Sequence, residues 1–226
     1  MKDFLSIAAS EIGAASRETA GRILRRWRDH GKDLREGIRA DAIDKRVSVG
    51  GYANSLHGDS YGYEAASYRH LEALAAALPL GADDVFVDVG CGCGRVACFM
   101  AAQGVRKAVG IDVLDEFLER SRANASAVAS RGGAPVEILR CDAAAMPAAV
   151  IDEGTVFFLF NPFGFRTLHD FVDGLGESLG RRPRRLTVAY FHPVHRWYLD
   201  DRPWLAEDAR LSASHDIMIW NGRRVI

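Results

Sequence analysis

The chain has 226 residues, of which 48% are apolar and 26% charged, and these fractions exclude an intrinsically disordered protein. Lys and Arg number 29 against 30 Asp and Glu, so the formal net charge of -1 excludes a polycation built to coat nucleic acid. No apolar run approaches the ~20 residues that span a bilayer, so we expect no transmembrane segment. The length is typical of a single domain.

Residues 1–50 differ from the rest of the chain. They hold eleven Lys and Arg against eight Asp and Glu, a net charge of +3, and their apolar residues recur at helical spacing. Residues 22–28 are basic and amphipathic, which fits a helix packed on the main domain or a contact with an acidic partner, nucleic acid or membrane. The first eleven residues are too short and too acidic for a secretory signal. The four cysteines form no disulfide framework, which favours a reduced, cytoplasmic protein.

The stretch 49–63 is rich in turn-forming residues and tyrosines and is predicted to be a loop. We expect residues 1–60 to form an N-terminal helical segment that acts as a lid, with this loop as its hinge. Residues 61–226 then form the main domain. The rival interpretation is that the segment covers a face of the core permanently.

From residue 68 the pattern alternates between helix and strand. A helix is predicted from Tyr68, with Pro79 as its stop. Further helices are predicted at 95–103 and 115–127, and one capped by Thr167 with Asp170 in capping-box position. Strands are predicted at 85–89, 107–112, 136–140, 155–160 and 186–191. Such alternation indicates a parallel sheet covered by helices on both faces.

The C-terminal part of the chain breaks this alternation. Residues 212–220 resemble a strand, and Asn221-Gly222 before 223–226 is a hairpin signal. The alternative pairs 209–213 with 217–220. Both interpretations place antiparallel strands at the end of the sheet.

Glycines and cysteines crowd the turn after the first strand. The run 87–95 contains Asp88 followed by Gly90, Gly92 and Gly94, so its pattern is G-x-G-x-G after an acid. Arg95 stands where a dinucleotide fingerprint needs glycine, and no P-loop sequence is present. Glycines at a strand-to-helix turn let the backbone approach a ligand closely. Cys91 and Cys93 lack a second matching pair, so they are a weak zinc signal and we expect no metal site.

This turn resembles motif I of the class I, Rossmann-like S-adenosylmethionine-dependent methyltransferases. The resemblance covers roughly residues 60–226 and implies an α/β fold: a doubly wound, mostly parallel seven-stranded sheet with antiparallel C-terminal strands, here with an N-terminal helical extension. It implies S-adenosyl-L-methionine as cofactor and Asp112, at the end of the second strand, as the acid that binds the ribose. Asp142 stands where the family places an acid near the adenine, and Tyr63 begins a segment similar to one that covers the methionine end.

The fourth strand ends in Asn161-Pro162-Phe163-Gly164, where the family places its motif IV facing the methyl group. This segment is similar to the Asn/Asp-Pro-Pro-aromatic signature of amino-methylating enzymes, but Phe163 and Gly164 depart from it and weaken the case for a nucleobase substrate. Asn161 is therefore a candidate for both cofactor and acceptor contacts, with Pro162 and Phe163 beside it. His192, or His195, after the fifth strand is a candidate general base.

The resemblance implies a methyltransferase whose acceptor is an amine or hydroxyl of a small molecule or a protein side chain. We expect no stable nucleic-acid partner, and the oligomeric state is not readable from the chain. The alternative is a noncatalytic domain of the same fold that serves as a binding module or partner subunit.

Overall fold

A seven-stranded sheet forms the centre of the structure, a computed structural model that describes residues 17–40, 55–211 and 216–223. The strand order is β3-β2-β1-β4-β5-β7-β6, with β1 to β5 parallel and β6 and β7 antiparallel. The strands are β1 Val85–Val89, β2 Lys107–Asp112, β3 Val136–Arg140, β4 Val156–Phe160, β5 Thr187–Phe191, β6 Leu205–Glu207 and β7 Ile217–Gly222. This sheet confirms the predicted fold class and the five predicted parallel strands to within one residue.

Helices cover both faces of the sheet. They are α1 Arg17–Glu36, α2 Tyr68–Ala77, α3 Arg95–Ala101, α4 Asp115–Ala129, α5 Ala148–Ile151, α6 Phe165–Arg181 and α7 Arg196–Asp200, with a 3-10 turn at Ala143–Ala145. Every residue of β1 and β5 is buried, as expected when both faces of a parallel strand are covered. Within the described residues, no helix is both long and apolar enough to cross a membrane.

The order of the strands reverses between β1 and β4. β2 and β3 lie on one side of β1, while β4 and β5 lie on the other. In an open α/β sheet, ligands bind outside the carboxyl ends of the strands at such a switch point. The fold thus brings the residues that follow β1, β2 and β4 to one edge.

The predicted turn at Asn221-Gly222 is wrong. Both residues belong to β7, which pairs with β5 on one side and with β6 on the other. The four apolar residues that open β7 are all buried, and Thr187 donates a hydrogen bond to Asn221 at 2.8 Å, so burial and pairing override the local turn preference. The alternative placed a strand at 217–220 correctly, but the described partners of that strand are β5 and β6. Residues 212–215 and 224–226 lie outside the described residues.

The predicted capping box at Thr167 and Asp170 is also wrong. Helix α6 begins at Phe165, so Thr167 lies within its first turn. The cap is supplied from a distance by Asp59, whose carboxylate accepts from the Thr167 hydroxyl at 2.6 Å and from its backbone N–H at 3.3 Å. Asp170 instead pairs with His57 at 2.7 Å.

Helix α1 is held to the domain by a buried ion pair. The Asp33 carboxylate accepts from Arg95 Nε at 3.0 Å and from Nη2 at 2.5 Å, and the Tyr68 hydroxyl donates to it at 2.8 Å. Asp33 and Arg95 are 1% and 3% exposed. Because Arg95 opens α3 directly after Gly94, α1 is attached to the glycine turn. Residues 1–16 and 41–54 of the expected N-terminal helical segment, which include 49–54 of the predicted loop, lie outside the described residues.

Candidate functional site

The turn between β1 and α3 is built from glycines with positive φ. Gly90, Gly92 and Gly94 have φ values of 75°, 50° and 75°, a region that residues with a Cβ seldom adopt. The Gly90 and Cys91 N–H groups both donate to the Ile111 carbonyl, at 3.0 and 2.8 Å, which joins the turn to the end of β2. The glycines are thus required by the backbone path of the turn.

Asp112 meets this turn at the end of β2. Its Oδ2 accepts from the Gly92 N–H at 2.8 Å, and its Oδ1 accepts from the N–H groups of Val113 and Leu114 at 2.8 and 3.1 Å. Burial raises the pKa of Asp112, and these three backbone donors oppose the rise. These bonds use three of the roughly four acceptor sites of the carboxylate, so Oδ2 keeps one site for a further donor, such as a ligand hydroxyl.

A cleft with about 650 Å³ of empty space, partly open to solvent, lies at this edge of the sheet. Only about 70 Å³ of this space admits the centre of a water molecule, and the larger figure includes open solvent. The walls of the cleft combine the strand ends with the segment that precedes α2. Predicted site residues that line it are Tyr63, Gly90, Asp112, Asp142, Pro162 and Phe163.

The segment 55–64 forms the outer wall of the cleft. The Tyr63 ring covers the glycine turn so closely that a Cβ on Gly92 would lie 2.1 Å from its Cε2. The ring lies 5.0 Å from that of Phe117, and its hydroxyl donates to the Ala40 carbonyl at 3.1 Å. Farther along the wall, the Tyr61 N–H donates to the Pro162 carbonyl at 2.8 Å. These contacts fix the outer segment against the glycine turn and the end of β4.

Asp142 lies in the cleft and also organises its wall. Its Oδ1 accepts from the Ala144 N–H at 2.9 Å, which caps the 3-10 turn, and its Oδ2 accepts from the Leu56 N–H at 2.5 Å. The carboxylate therefore ties the outer segment to the end of β3.

Asp88 and Gly94 lie behind the turn rather than on the cleft wall. Asp88 is 2% exposed and accepts from the Ala97 N–H at 3.2 Å, on the side of α3. Burial raises its pKa to about 7. A Cβ on Gly94 would lie 2.2 Å from Ser121 Oγ, so its missing side chain allows α4 to approach. We expect Asp88 and Gly94 to affect ligand binding indirectly, because they fix the shape of the turn.

The end of β4 carries the residues predicted to face the acceptor. Pro162 and Phe163 line the cleft, and a Cβ on Gly90 would lie 2.5 Å from Pro162 Cβ, so the ends of β1 and β4 are in close contact. Asn161 is outside the cleft lining. It has a φ of 39°, and its Oδ1 accepts from the Tyr190 hydroxyl at 3.1 Å.

The two histidines after β5 occupy different places. His192 also has positive φ, at 50°, and its exposed ring stacks on Phe191 at 4.3 Å, outside the cleft lining. His195 is half-buried. A role for His192 as a base thus requires an acceptor that reaches the rim of the cleft.

Several residues that shape the site were missed by sequence reasoning. Asp59 and Tyr190 act across long sequence separations, and so does Asn124, whose amide donates to the Cys93 carbonyl at 2.8 Å. Only Arg95 carried a local signal, as a charged residue directly after the last glycine of the turn.

The cysteines near the turn are free thiols. Cys91, Cys93 and Cys98 are buried, and burial raises the pKa of Cys93 to about 11 and that of Cys98 to about 12. Protonated thiols are poor nucleophiles and poor metal ligands. Across 17–40, 55–211 and 216–223, no three His, Cys, Asp or Glu side chains form a metal-binding group.

Comparison with known proteins identifies the domain. Residues 86–177 match the family model described as a methyltransferase domain. An RNA methyltransferase from Salinibacter ruber, solved with S-adenosyl-L-homocysteine, matches with a TM-score of 0.50 and 18% identity over 72% of this chain and 96% of that one. An rRNA methylase from Streptococcus thermophilus has a TM-score of 0.48 and 13% identity, over 70% and 96%.

A methyltransferase from Thiobacillus denitrificans, also solved with S-adenosyl-L-homocysteine, is 23% identical with a TM-score of 0.43. That match covers 54% of this chain and 48% of the other, so this chain spans about half of its length. No curated protein sequence matches the chain. At these identities the solved structures show the fold alone.

The residues of the cleft fit the cofactor of this fold. Asp112 offers a carboxylate oxygen to a hydroxyl group, the backbone of Gly90 lines the cleft, and the rings of Tyr63 and Phe163 supply apolar walls. The matched residues run from β1 into α6 and include both the turn and the Asn161-Pro162-Phe163 segment. Residues 86–177 thus match a methyltransferase domain, and the sheet that holds them has the fold of the class I, Rossmann-like methyltransferases, whose cofactor is S-adenosyl-L-methionine.

Proposed function

We propose that this protein transfers a methyl group from S-adenosyl-L-methionine to an amine or hydroxyl of a small molecule or a protein side chain. The observation that carries the proposal is the 2.8 Å hydrogen bond between the Gly92 N–H and Asp112. It joins the glycine turn to the acid in one cleft, and Pro162 and Phe163 line that same cleft at the end of β4.

The bound sulfonium supplies an electrophilic methyl group. In the proposed arrangement Asp112 accepts the ribose hydroxyls and Asp142 lies on the adenine side. Tyr63 covers the turn and excludes water. Holding nucleophile, carbon and sulfur in line supplies most of the rate enhancement, because the reaction needs no further electrophile.

Asn161 and His192 are proposed to act on the acceptor. They follow Phe160 and Phe191, which are register partners on the adjacent strands β4 and β5. Both residues have positive φ without being glycine, and such strained positions concentrate at functional sites. As the acceptor's bond to the methyl carbon forms and the carbon's bond to sulfur breaks, the acceptor loses one proton, and His192 at the rim is the candidate to take it.

The alternative, a noncatalytic binding module of the same fold, is less well supported because the turn, Asp112 and the Asn161 segment are all in place. The RNA substrates named for two structural neighbours are not carried over, because identities of 13% and 18% support the fold alone. That no stable nucleic-acid partner exists stays a prediction.

Calorimetric titration with S-adenosylmethionine, S-adenosylhomocysteine and NAD tests the cofactor. Methyl-labelled S-adenosylmethionine is then supplied with fractionated metabolites and with cell lysate, with and without ribonuclease. Transfer to a ribonuclease-resistant acceptor supports the proposal. Binding without transfer to any fraction supports the noncatalytic module, and transfer abolished by ribonuclease contradicts the predicted acceptor class.

A further inference from the structure

The chain that follows helix α1 lies against the glycine turn. Gly37 comes directly after the helix with a φ of 68°, which redirects the backbone. Ile38 is 3% exposed and Ala40 is fully buried, and both belong to one apolar cluster with Cys93 of the turn. We call residues 38–40 the strap. Its burial makes the strap part of the packed structure around the turn.

One buried amide joins the strap to the turn. Asn124, on helix α4, is 2% exposed. Its Oδ1 accepts from the Arg39 N–H at 2.9 Å, and its Nδ2 donates to the Arg39 carbonyl at 3.3 Å and to the Cys93 carbonyl at 2.8 Å. A carboxamide can accept at its oxygen and donate twice at its nitrogen, which a hydroxyl with its single proton cannot do. Asn124 therefore satisfies backbone groups of the strap and of the turn at the same time.

The strap in turn holds Tyr63. The Tyr63 hydroxyl donates to the Ala40 carbonyl at 3.1 Å, at the end of the strap. Its ring covers the turn so closely that a Cβ on Gly92 would lie 2.1 Å away, and the ring lines the cleft. Asn124 does not line the cleft. Any effect of Asn124 on a ligand in the cleft must therefore pass through other residues.

We infer that Asn124 is a positioning residue, which holds the strap against the glycine turn and thereby fixes Tyr63 over Gly92. The inference rests on the proposed function and adds to it a residue that strengthens cofactor binding without contact with the cofactor. A site whose cover is already in place loses less conformational freedom when the ligand binds, so its affinity is higher.

The first measurement follows Tyr63 itself, without cofactor. The full chain is labelled with fluorotyrosine, and the fluorine signal of Tyr63 is assigned by its loss in Tyr63→Phe. In Asn124→Ala the Tyr63 signal should shift or broaden. The signal of Tyr198, whose hydroxyl bonds to Asp173, should stay in place. An unchanged Tyr63 signal overturns the inference, whatever the variant does to stability.

The second measurement is the affinity for S-adenosylhomocysteine by calorimetry. Asn124→Ala and Tyr63→Phe should each weaken binding at least about fivefold, since each removes hydrogen bonds of the same link. The double variant should bind no more than about twofold more weakly than the weaker single variant, because residues in one network are not additive. Losses that multiply to about 25-fold overturn the link between Asn124 and Tyr63.

Asn221 provides a matched control at the opposite edge of the sheet. Its amide also joins two elements, accepting from Thr187 at 2.8 Å and donating to Asp208 at 3.3 Å. Asn221→Ala should leave the affinity for S-adenosylhomocysteine unchanged, and a loss equal to that of Asn124→Ala overturns the inference. If Asn124→Ala does not fold, Asn124→Ser serves in both measurements. A wild-type protein that does not bind S-adenosylhomocysteine contradicts the proposed function, and the Tyr63 signal still decides the role of Asn124.

Discussion

The buried ion pair between Asp33 and Arg95 should dominate the attachment of helix α1. Asp33→Asn keeps the size of the side chain but removes the carboxylate charge that faces two guanidinium donors, at 3.0 and 2.5 Å. It also weakens the acceptor of the Tyr68 hydroxyl, whose pKa is raised by burial and by Asp33. Arg95 stays buried with its charge.

The expected cost follows from this burial. Removing one partner of a buried ion pair costs about 3–5 kcal/mol, because the remaining charge is not resolvated. Globular domains are stable by only about 5–15 kcal/mol, so Asp33→Asn should lose a large share of the free energy of unfolding. For a chain of this length that corresponds to a fall in Tm of about 6–20 °C.

An exposed ion pair between helices α1 and α2 serves as the control for the buried one. Lys32 of α1 pairs with Glu72 of α2 at 2.5 Å, but the Glu72 side chain is 58% exposed. Exposed pairs contribute about 0–1 kcal/mol, so Glu72→Gln should change stability little. Urea unfolding of both variants gives the comparison, provided that the slope of the transition is unchanged.

A double variant separates the charge effect from general damage. Asp33→Asn with Arg95→Leu removes both charges and should recover part of the loss seen with Asp33→Asn alone. The reasoning fails if Asp33→Asn costs no more than Glu72→Gln, because the buried pair would then contribute no more than an exposed one.

Four further outcomes are expected. Asp112→Ala should keep the fold but lose about 1.5–3 kcal/mol of S-adenosylhomocysteine affinity by calorimetry, and unchanged affinity contradicts its ribose role. Gly92→Val should displace Tyr63, whose ring a Cβ would approach to 2.1 Å, and abolish that binding while circular dichroism stays native; retained binding would make the turn merely structural. Burial raises the pKa of Asp88 to about 7, so the folded state keeps a proton that the unfolded chain releases, and stability should fall as the pH rises from about 4 to 7. Asp88→Asn should remove that fall, worth about 1.4 kcal/mol per pKa unit, and an identical pH dependence in both proteins refutes it. Deleting residues 1–48 should destabilise the domain, because it removes the carboxylate partner of a buried arginine; proteolytic protection at 55–60 that appears only with S-adenosylhomocysteine would instead support a mobile lid.

Local sequence patterns were sufficient to predict the parallel strands of the sheet and the types of residue that follow them. Strands such as 85–89 and 107–112 are short apolar runs bounded by turn residues. Their limits show in the sequence because a parallel strand is buried on both faces. The glycines of the turn were recognisable because only glycine adopts positive φ at little cost. The acids that follow the strands, such as Asp112, were identifiable because parallel strands end at one edge.

Other features depend on residues that meet only in the folded chain. Asn221-Gly222 has the local preference of a turn, yet pairing with β5 and β6 makes it strand, because ladder hydrogen bonds and burial outweigh that preference. The cap of α6 comes from Asp59, and the hydrogen bond to Asn161 comes from Tyr190, 29 positions away. Tertiary packing likewise decided which side of the glycine turn Asp88 faces and that Arg95 pairs with a carboxylate. Neither could be predicted, because a side chain's partner depends on distance in space and not along the sequence.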